Sequence, residues 1–179
     1  MGSQADTGGW KADIDALQTA ARHSEPRKPV EQDYLSKAPT TYDGLPISLE
    51  PPFGATVVVY RARLGGVEVL ILYRAHSGEG FEGDWAWTPP AGARLPSETE
   101  NDCARRELEE ETGLRVPVRP TDCGSADWCV YLAEVPDGAV ISLNAEHDRF
   151  EWVSVADAVR RCQPVRVSDQ VRRAAALLA

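Results

Sequence analysis

Hydrophobic residues are sparse at the start of the chain and form dense runs only from Ala55 onward. The runs Ala55–Tyr60 and Val67–Tyr73 are rich in β-branched residues and are joined through Leu64-Gly65-Gly66, which is typical of a β-hairpin. Further strands are predicted at Trp128–Val135 and near Phe150–Val153, where apolar residues recur in short blocks.

A long helix is predicted between the second and third hydrophobic runs. Ser97, with Glu100 three residues later, is a capping-box pattern that favours a helix start. Gly113 is a typical residue just after a helix end. The predicted helix therefore runs from about Glu98 to Thr112.

Two short helices are predicted near the C-terminus, one after Ser154 and one after Ser168, because each serine can cap a helix N-terminus. Hairpin strands alternate with a few helices. This order predicts an α+β fold in which a mixed β-sheet is sandwiched between helices.

The first 50 residues differ from the rest in composition. They are polar, interrupted by prolines, and contain one helix candidate, Asp13–His23. We predict an N-terminal arm over residues 1–50, which packs on the domain or on a second subunit, and a folded domain over residues 51–179. Packing of the arm on a second subunit would make the protein a homodimer, which the sequence leaves open.

Net charge and composition narrow the range of partners expected for the protein. The formal charge is −9 and lysine and arginine form no block, which argues against duplex nucleic acid. No apolar run approaches the roughly 20 residues of a membrane span, and Met1–Lys11 lacks the order of a signal peptide. We therefore expect a cytoplasmic protein with no membrane partner.

The four cysteines include no C-x-x-C pair, so a zinc site is not expected and reduced, packed thiols are.

The long helix has an unfavourable charge distribution. Glu107, Glu109, Glu110 and Glu111 crowd its last turns, where the helix dipole favours cations. The spacing of Glu107, Glu110 and Glu111 places three carboxylates on one face, and these repel one another. A solvated acidic face is one interpretation; a site for a hard cation such as magnesium, which prefers oxygen ligands, is the other.

The residues around this helix resemble the signature of the Nudix family. Gly92 is followed after five residues by Glu98, and after seven more by the run Arg106–Leu114, Arg-Glu-Leu-Glu-Glu-Glu-Thr-Gly-Leu. Every specified position of the signature matches. The resemblance implies the Nudix fold and hydrolysis of a phosphoanhydride bond in a nucleotide-like substrate.

The resemblance also implies a metal cofactor, Mg²⁺ with Mn²⁺ as a possible substitute. The residues implied as ligands are Glu107, Glu110 and Glu111, supported by Glu98 and the backbone carbonyl of Ala91. Arg106 is implied to orient the glutamates by charge-assisted hydrogen bonds.

The general base is less closely specified. Glu146 stands six residues before Trp152, a spacing that in similar family members places a glutamate at the metals. Glu110 or Glu111 is the alternative base, and a surface carboxylate is the ordinary interpretation of Glu146. His147 is an acid–base candidate, although a loop histidine is commonly just exposed.

Substrate contacts are predicted outside the signature. Arg74 ends the second strand, where related enzymes place an arginine for phosphates, or is simply solvated. Trp85 is a candidate for stacking on a base, whereas Trp87 is predicted to pack in the core. Tyr131 is predicted to face inward, as core or as pocket wall.

Within the family, the chain most resembles the asymmetric diadenosine tetraphosphate hydrolases. The fragments that carry this likeness are Trp87–Gly92, Tyr131–Val135, and Glu146-His147 with Trp152. Three features depart from that group. Ala91-Gly92-Ala93 stands where Lys-Gly-His is usual, Pro96 replaces a small or polar residue, and Arg115–Asp127 is short.

Three functions therefore compete. The first is hydrolysis of a nucleoside diphosphate linked to another moiety, including dinucleoside polyphosphates. The second is a house-cleaning, MutT-like nucleoside triphosphate pyrophosphohydrolase. The third is a nucleotide-sensing module without catalysis, which the intact glutamate set argues against. The expected partner in each case is a small nucleotide-like molecule.

Overall fold

A mixed β-sheet with helices on both faces organises the chain in a computed structural model that describes residues 40–41, 44–78 and 80–178. The helix predicted over Asp13–His23 lies outside these residues. The strands are β1 (Gly54–Arg63), β2 (Gly66–Arg74), β3 (Trp87–Thr88), β4 (Ala91–Ala93), β5 (Arg119–Pro120), β6 (Cys129–Glu134) and β7 (His147–Ser154). The helices are α1 (Glu100–Thr112), α2 (Val155–Arg161) and α3 (Val165–Ala176).

The sheet has the order β3-β2-β1-β6-β5, with β4 also paired to β1 and β7 to β2. β1 and β6 run parallel, and the other pairs are antiparallel. The predicted hairpin is present, with Arg63 opposite Gly66 at its turn. The mixed sheet and the α+β class are as predicted.

Alternation along β1 supplies both faces of the sheet. Val57 and Val59 pack in a core that includes Leu108 of α1. Val58 points to the other face and joins a core that includes Val171 of α3. Because successive side chains of a strand point to opposite faces, one apolar run is buried under helices on both sides.

The start of α1 corrects the predicted capping box. The helix begins at Glu100, and its N-cap is Thr99, whose Oγ1 accepts a hydrogen bond from the Asp102 amide at 3.1 Å. Ser97 is exposed and lies outside the helix. The end is as predicted, since Gly113 adopts φ 71° in the left-handed region and closes the helix.

The two C-terminal helices give one confirmation and one correction. Ser154 caps α2 by accepting from the Asp157 amide. Ser168 is not a cap: α3 begins at Val165 after Pro164, and Ser168 is buried within its first turns, donating to the Val165 carbonyl at 2.9 Å. None of the helices in the described ranges has the length and apolar character needed to cross a membrane.

Arg94 attaches the segment before β1 to the loop that precedes α1. Its guanidinium donates to the Pro52 carbonyl at 2.7 Å, the Glu50 carbonyl at 2.7 Å and Ser48 Oγ at 3.0 Å. It also donates to the Glu98 carbonyl at 2.9 Å. Part of the predicted arm therefore packs against the domain beside residues 91–99, which we call the signature loop.

Candidate active site

A cavity of about 340 Å³ opens between the signature loop and the C-terminal half of α1, and we call it the acidic cavity. It is lined by Thr41, Leu45, Ala91, Gly92, Ala93, Arg106, Glu107, Glu110, Glu111, Asn144, Ala145 and Glu146. The helix spacing brings the signature glutamates to one face, as predicted. The connection before β7 brings Glu146 to them.

Arg106 holds the carboxylates around it. Its Nε donates to Glu98 Oε1 at 2.6 Å, and its Nη1 donates to Glu107 Oε1 at 2.6 Å and to Glu110 Oε2 at 3.1 Å. Its Nη2 donates to the Ala93 carbonyl at 2.8 Å. Charge-assisted bonds of this kind fix side-chain geometry, so Arg106 ties Glu98 and two glutamates of α1 to the β4 loop.

Two of the glutamates are held in a poorly hydrated position. Glu107 is 7% exposed and Glu111 is 2% exposed. Burial raises the pKa of Glu107 despite its contact with Arg106. Burial, followed by the charge of Glu107, raises the pKa of Glu111 well above its usual value. The Ala91 amide donates to Glu111 Oε2 at 3.1 Å, and this hydrogen bond from the backbone stabilises the charged carboxylate.

Gly92 is required by the position of Glu107. A Cβ built on Gly92 would overlap the Glu107 carboxylate. The signature glycine thus leaves space for a carboxylate against the backbone, which is a steric reason for the residue rather than a need for unusual φ.

Glu146 is paired with Arg74 across the cavity rim. Arg74 Nη1 donates to Glu146 Oε2 at 3.2 Å, and the side chains are 13% and 27% exposed. The Glu146 amide bonds Asn144 Oδ1 at 3.1 Å, which fixes the turn before β7. The structure therefore brings both residues to the site, and Glu146 is not a free surface carboxylate.

His147 is buried rather than exposed in a loop. It begins β7, is 3% exposed, and does not line the acidic cavity. Burial, with a smaller contribution from Arg74, lowers its pKa to about 3. A general-acid role needs a protonated imidazole, which this environment disfavours.

The donor set fits a hard divalent cation. Several carboxylates converge without enough positive charge to balance them, and carboxylate oxygens are the ligands that magnesium prefers. Arg106 engages Glu107 and Glu110, and in the described ranges no three acidic, histidine or cysteine side chains are already arranged to hold a metal ion. The residues fit such an ion once those carboxylates turn toward it.

A second cavity of about 350 Å³ lies between the sheet and α3, and we call it the α3 cavity. Its lining includes Thr56, Arg74, Trp85, Trp128, Arg166 and Gln170. Ala91 lines this cavity and the acidic cavity as well. The two spaces therefore meet at the signature loop.

Of the aromatic residues singled out in the sequence, Trp85 lines a cavity, whereas Trp87 and Tyr131 lie in the hydrophobic core. Trp85 lines the α3 cavity, and the Arg166 guanidinium lies 4.7 Å from its ring centroid. Trp87 is 1% exposed and packs edge-on to Tyr73 at 4.9 Å, as predicted for a core residue. Tyr131 is 5% exposed in the core beneath α1. It lines neither the acidic cavity nor the α3 cavity, and its predicted contact with substrate stays a prediction.

Sequence reasoning missed Arg94 and the α3 wall. Arg166, Gln170 and Arg173 stand at helix spacing i, i+4, i+7 and all line the α3 cavity. Alternation from Val58 already places Thr56 on the same face of β1. The helical spacing on α3 and the alternation along β1 are both visible in the sequence. Placing a pocket between these residues also requires knowing that α3 crosses this face of the sheet.

The family assignment follows from comparison with known proteins. A family model described as the NUDIX domain matches residues 50–174. The chain therefore belongs to the Nudix hydrolase family, as its signature indicated.

The relatives are of two kinds. The chain is 30% identical to an octanoyltransferase of Myxococcus xanthus over 93% of the chain, but it spans only about half of that protein, 49%. It is 27% identical to the asymmetrical bis(5′-nucleosyl)-tetraphosphatase of Caenorhabditis elegans, over 70% of the chain and 95% of that protein. A crystal structure of a C. elegans Ap4A hydrolase binary complex shares the fold, with TM-score 0.56, 23% identity, and coverage of 70% of this chain and 96% of that one.

Proposed function

We propose that the protein is a metal-dependent pyrophosphohydrolase that cleaves a phosphoanhydride bond in a nucleoside diphosphate linked to another moiety. The observation that carries the proposal is the meeting of the acidic cavity and the α3 cavity at Ala91. One space offers carboxylates for a metal-bound diphosphate and the other offers an aromatic-walled space for a nucleoside. Dinucleoside polyphosphates belong to this substrate class, and the C. elegans relative is named for them.

The metal site is assigned to Glu107, Glu110 and Glu111, with the Ala91 carbonyl as a further oxygen ligand. Mg²⁺, with Mn²⁺ as substitute, is the fitting ion because the ligands are all oxygen. When bound, the ion neutralises phosphate charge and lowers the pKa of water. Glu98 stays bonded to Arg106 and keeps the loop in place.

Arg74 is suited to receive the substrate phosphates. It lines the α3 cavity, and its Nη1 bonds Glu146, which lines the acidic cavity. A guanidinium at this junction can bind phosphate oxygens through two of its donors. The diphosphate would then lie between Arg74 and the α1 glutamates.

Glu146 is assigned as the general base. It is half-buried beside the α1 carboxylates without being part of that helix, so it can accept a proton from the attacking water. Arg74 holds the Glu146 carboxylate in place. Removing the Glu146 carboxylate should therefore slow the chemical step with little change in metal affinity. If removal of the Glu146 carboxylate lowers turnover and metal affinity together, the general base is instead assigned to Glu110 or Glu111.

The first experiment pairs two neighbouring glutamates. Glu110→Gln removes a proposed metal ligand and should lower turnover by at least about 100-fold, with the fold intact by circular dichroism. Glu109→Gln is the matched control, because Glu109 points out of the cavity and pairs with Arg115; it should keep near wild-type turnover. Equal activities of the two variants would contradict the site assignment.

The second experiment identifies the substrate class. The protein is incubated with Mg²⁺ and a panel of nucleoside triphosphates, oxidised nucleotides, dinucleoside polyphosphates and nucleotide sugars, and the products are separated by mass. Cleavage within a linked diphosphate supports the proposal. Release of pyrophosphate from triphosphates alone would favour a MutT-like activity. Tight binding without any product would favour a sensor.

The likeness to an octanoyltransferase is not accompanied by an activated thiol at Cys103, Cys129 or Cys162. Burial raises the pKa of the Cys103, Cys129 and Cys162 thiols, so these three are poor sources of a thiolate nucleophile. The acidic cavity also contains no cysteine.

A further inference from the structure

One wall of the acidic cavity comes from outside the part of the chain that the NUDIX model matches. That match begins at residue 50, whereas Thr41 and Leu45 line the cavity from the residues before it. Neither residue lines the α3 cavity. We call the described residues 40–41 and 44–49 the leading segment. It supplies part of the proposed active site that the family signature does not specify.

Buried contacts hold the leading segment against the signature loop. Ile47 is 2% exposed and packs with Ala93. The Ser48 amide donates to the Arg94 carbonyl at 2.7 Å, and the Arg94 side chain donates back to Ser48 Oγ at 3.0 Å. Because Ile47 and Ser48 follow Leu45 by two and three residues, these contacts fix the place at which the chain reaches the cavity.

A tight turn sets the position of the Leu45 backbone. The Thr41 amide donates to the Leu45 carbonyl at 2.8 Å, and the Leu45 amide donates to Thr41 Oγ1 at 3.0 Å. Gly44 adopts φ 84°, in the left-handed region that glycine enters without strain, and its amide donates to the Thr41 carbonyl at 3.0 Å. Thr41 therefore holds Leu45 in place at the cavity through its backbone and its hydroxyl.

The Leu45 side chain differs in character from the rest of this lining. Among the described residues that line the acidic cavity, Leu45 alone has a large aliphatic side chain, and the others are charged, polar, alanine or glycine. Leu45 is 43% exposed, so part of its apolar surface lies open at the cavity. Covering apolar surface is favourable, whereas a phosphate group cannot cover it without losing water of its own. This surface suits an apolar group of a ligand.

We propose that Leu45, positioned by Thr41, contacts the second moiety of the substrate, and that this moiety carries an apolar ring face, as a second nucleoside does. The inference rests on the proposed function, which places the first nucleoside in the α3 cavity and the diphosphate between Arg74 and the α1 glutamates. With the α3 cavity filled, the second moiety extends from the diphosphate into the acidic cavity, where Leu45 lies. A substrate that ends in a phosphate has no group for this contact.

The test compares two ligands that differ in the second moiety. They are analogues of diadenosine tetraphosphate and of adenosine 5′-tetraphosphate in which methylene groups replace the anhydride oxygens, so that binding is measured without turnover. Calorimetry in the presence of Mg²⁺ gives the dissociation constant of each. Leu45→Ala should weaken binding of the diadenosine analogue about fivefold, as expected when the contact of roughly one methylene group is lost. Binding of the mononucleoside analogue should not change.

Each variant is compared with wild type on the same ligand, so the difference in charge between the two ligands does not enter. Leu49→Ala is the matched control, because Leu49 is 66% exposed in the same segment and lines neither cavity. It should leave both dissociation constants unchanged.

Two variants of Thr41 test the positioning role. Thr41→Val removes the acceptor for the Leu45 amide and should weaken binding of the diadenosine analogue alone. Thr41→Ser keeps a hydroxyl at this position and should restore the wild-type value. A merely structural role would instead weaken binding of both analogues in Thr41→Val, and that result would overturn the assignment of Thr41.

Equal weakening of both analogues by Leu45→Ala, or no weakening of either, would overturn the inference. Failure of the proposed function has a different signature. In that case Leu45→Ala still weakens binding of the diadenosine analogue selectively, but no compound of the substrate panel is hydrolysed. If wild-type protein binds neither analogue and yet hydrolyses another member of the panel, only the inference about Leu45 is overturned.

Discussion

At the scale of single residues, the site depends on how closely backbone and carboxylate approach each other. Gly92 has no side chain, and the Glu107 carboxylate occupies the position where one would lie. Glu107 also accepts from Arg106, which in turn bonds Glu98 and the Ala93 carbonyl. Displacing one carboxylate therefore disturbs a bonded group that spans α1 and the loop before it.

The Gly92→Ala variant tests this contact. The added methyl group should displace Glu107, lower the free energy of unfolding by about 1–3 kcal/mol, and abolish most of the hydrolytic activity. Urea unfolding and turnover measure the two effects. Shortening the opposing side chain in Gly92→Ala/Glu107→Asp should recover part of the stability but not the activity. A Gly92→Ala protein as stable and active as wild type would rule out the close contact.

At the scale of elements, the start of α1 depends on one side chain. Thr99 accepts from the Asp102 amide and donates to the Asp102 carboxylate at 2.7 Å. Ser97, the cap expected from sequence, is exposed two residues earlier. Thr99→Ala should lower the free energy of unfolding by about 1 kcal/mol, whereas Ser97→Ala should change it by less than about 0.5 kcal/mol. Urea denaturation of both variants decides between the two caps.

Arg94 is the corresponding element-scale contact for the segment before β1. It donates three hydrogen bonds that join this segment to the signature loop and a fourth, to the Glu98 carbonyl, within that loop. Arg94→Ala should lower the free energy of unfolding by about 2–3 kcal/mol. It should also speed hydrogen exchange of the Ser48 amide, which is bonded to the Arg94 carbonyl. Arg115→Ala, which breaks an exposed pair with Glu109, is the control and should leave both measurements unchanged.

The elements also show what sequence can predict. The hairpin, the end of α1 and the glutamate face follow from residues close in sequence, and all were predicted. The predicted start of α3 was wrong. Serine is a good cap by residue type, but Ser168 lies inside the helix and donates to the carbonyl three residues earlier. The α3 cavity was missed for a different reason: Thr56 and Gln170 lie 114 residues apart, and no local pattern relates them.

At the scale of the whole molecule, one sheet separates two apolar cores. The core beneath α1 contains Cys103, and the core beneath α2 and α3 contains Cys162. Both thiols are 0% exposed. Burial raises the pKa of Cys103 far above its usual range and that of Cys162 to about 12. Each thiol thus reports on the opening of one side of the sheet.

Alkylation of these thiols measures whether the two sides unfold together. At pH 8 with excess iodoacetamide, both cysteines should resist modification in the native protein, and all four thiols should react in denaturant. Because the strands between the cores are shared, Cys103 and Cys162 should become reactive at the same urea concentration, as read by mass spectrometry of peptides. Early labelling of one of them alone would show that its face opens independently.

The junction at Ala91 has a consequence for how such a protein can change over time. The acidic cavity is built from α1 and the turn before β7, whereas the α3 cavity is built largely from β1, α3 and the loop before β6, and Ala91 is the residue that both linings share. In the function proposed above, mutations on α3 would alter which molecule is bound and leave the carboxylates of α1 untouched. Substrate recognition and chemistry would then be inherited on separate parts of the chain, so that a lineage could diversify in one while conserving the other.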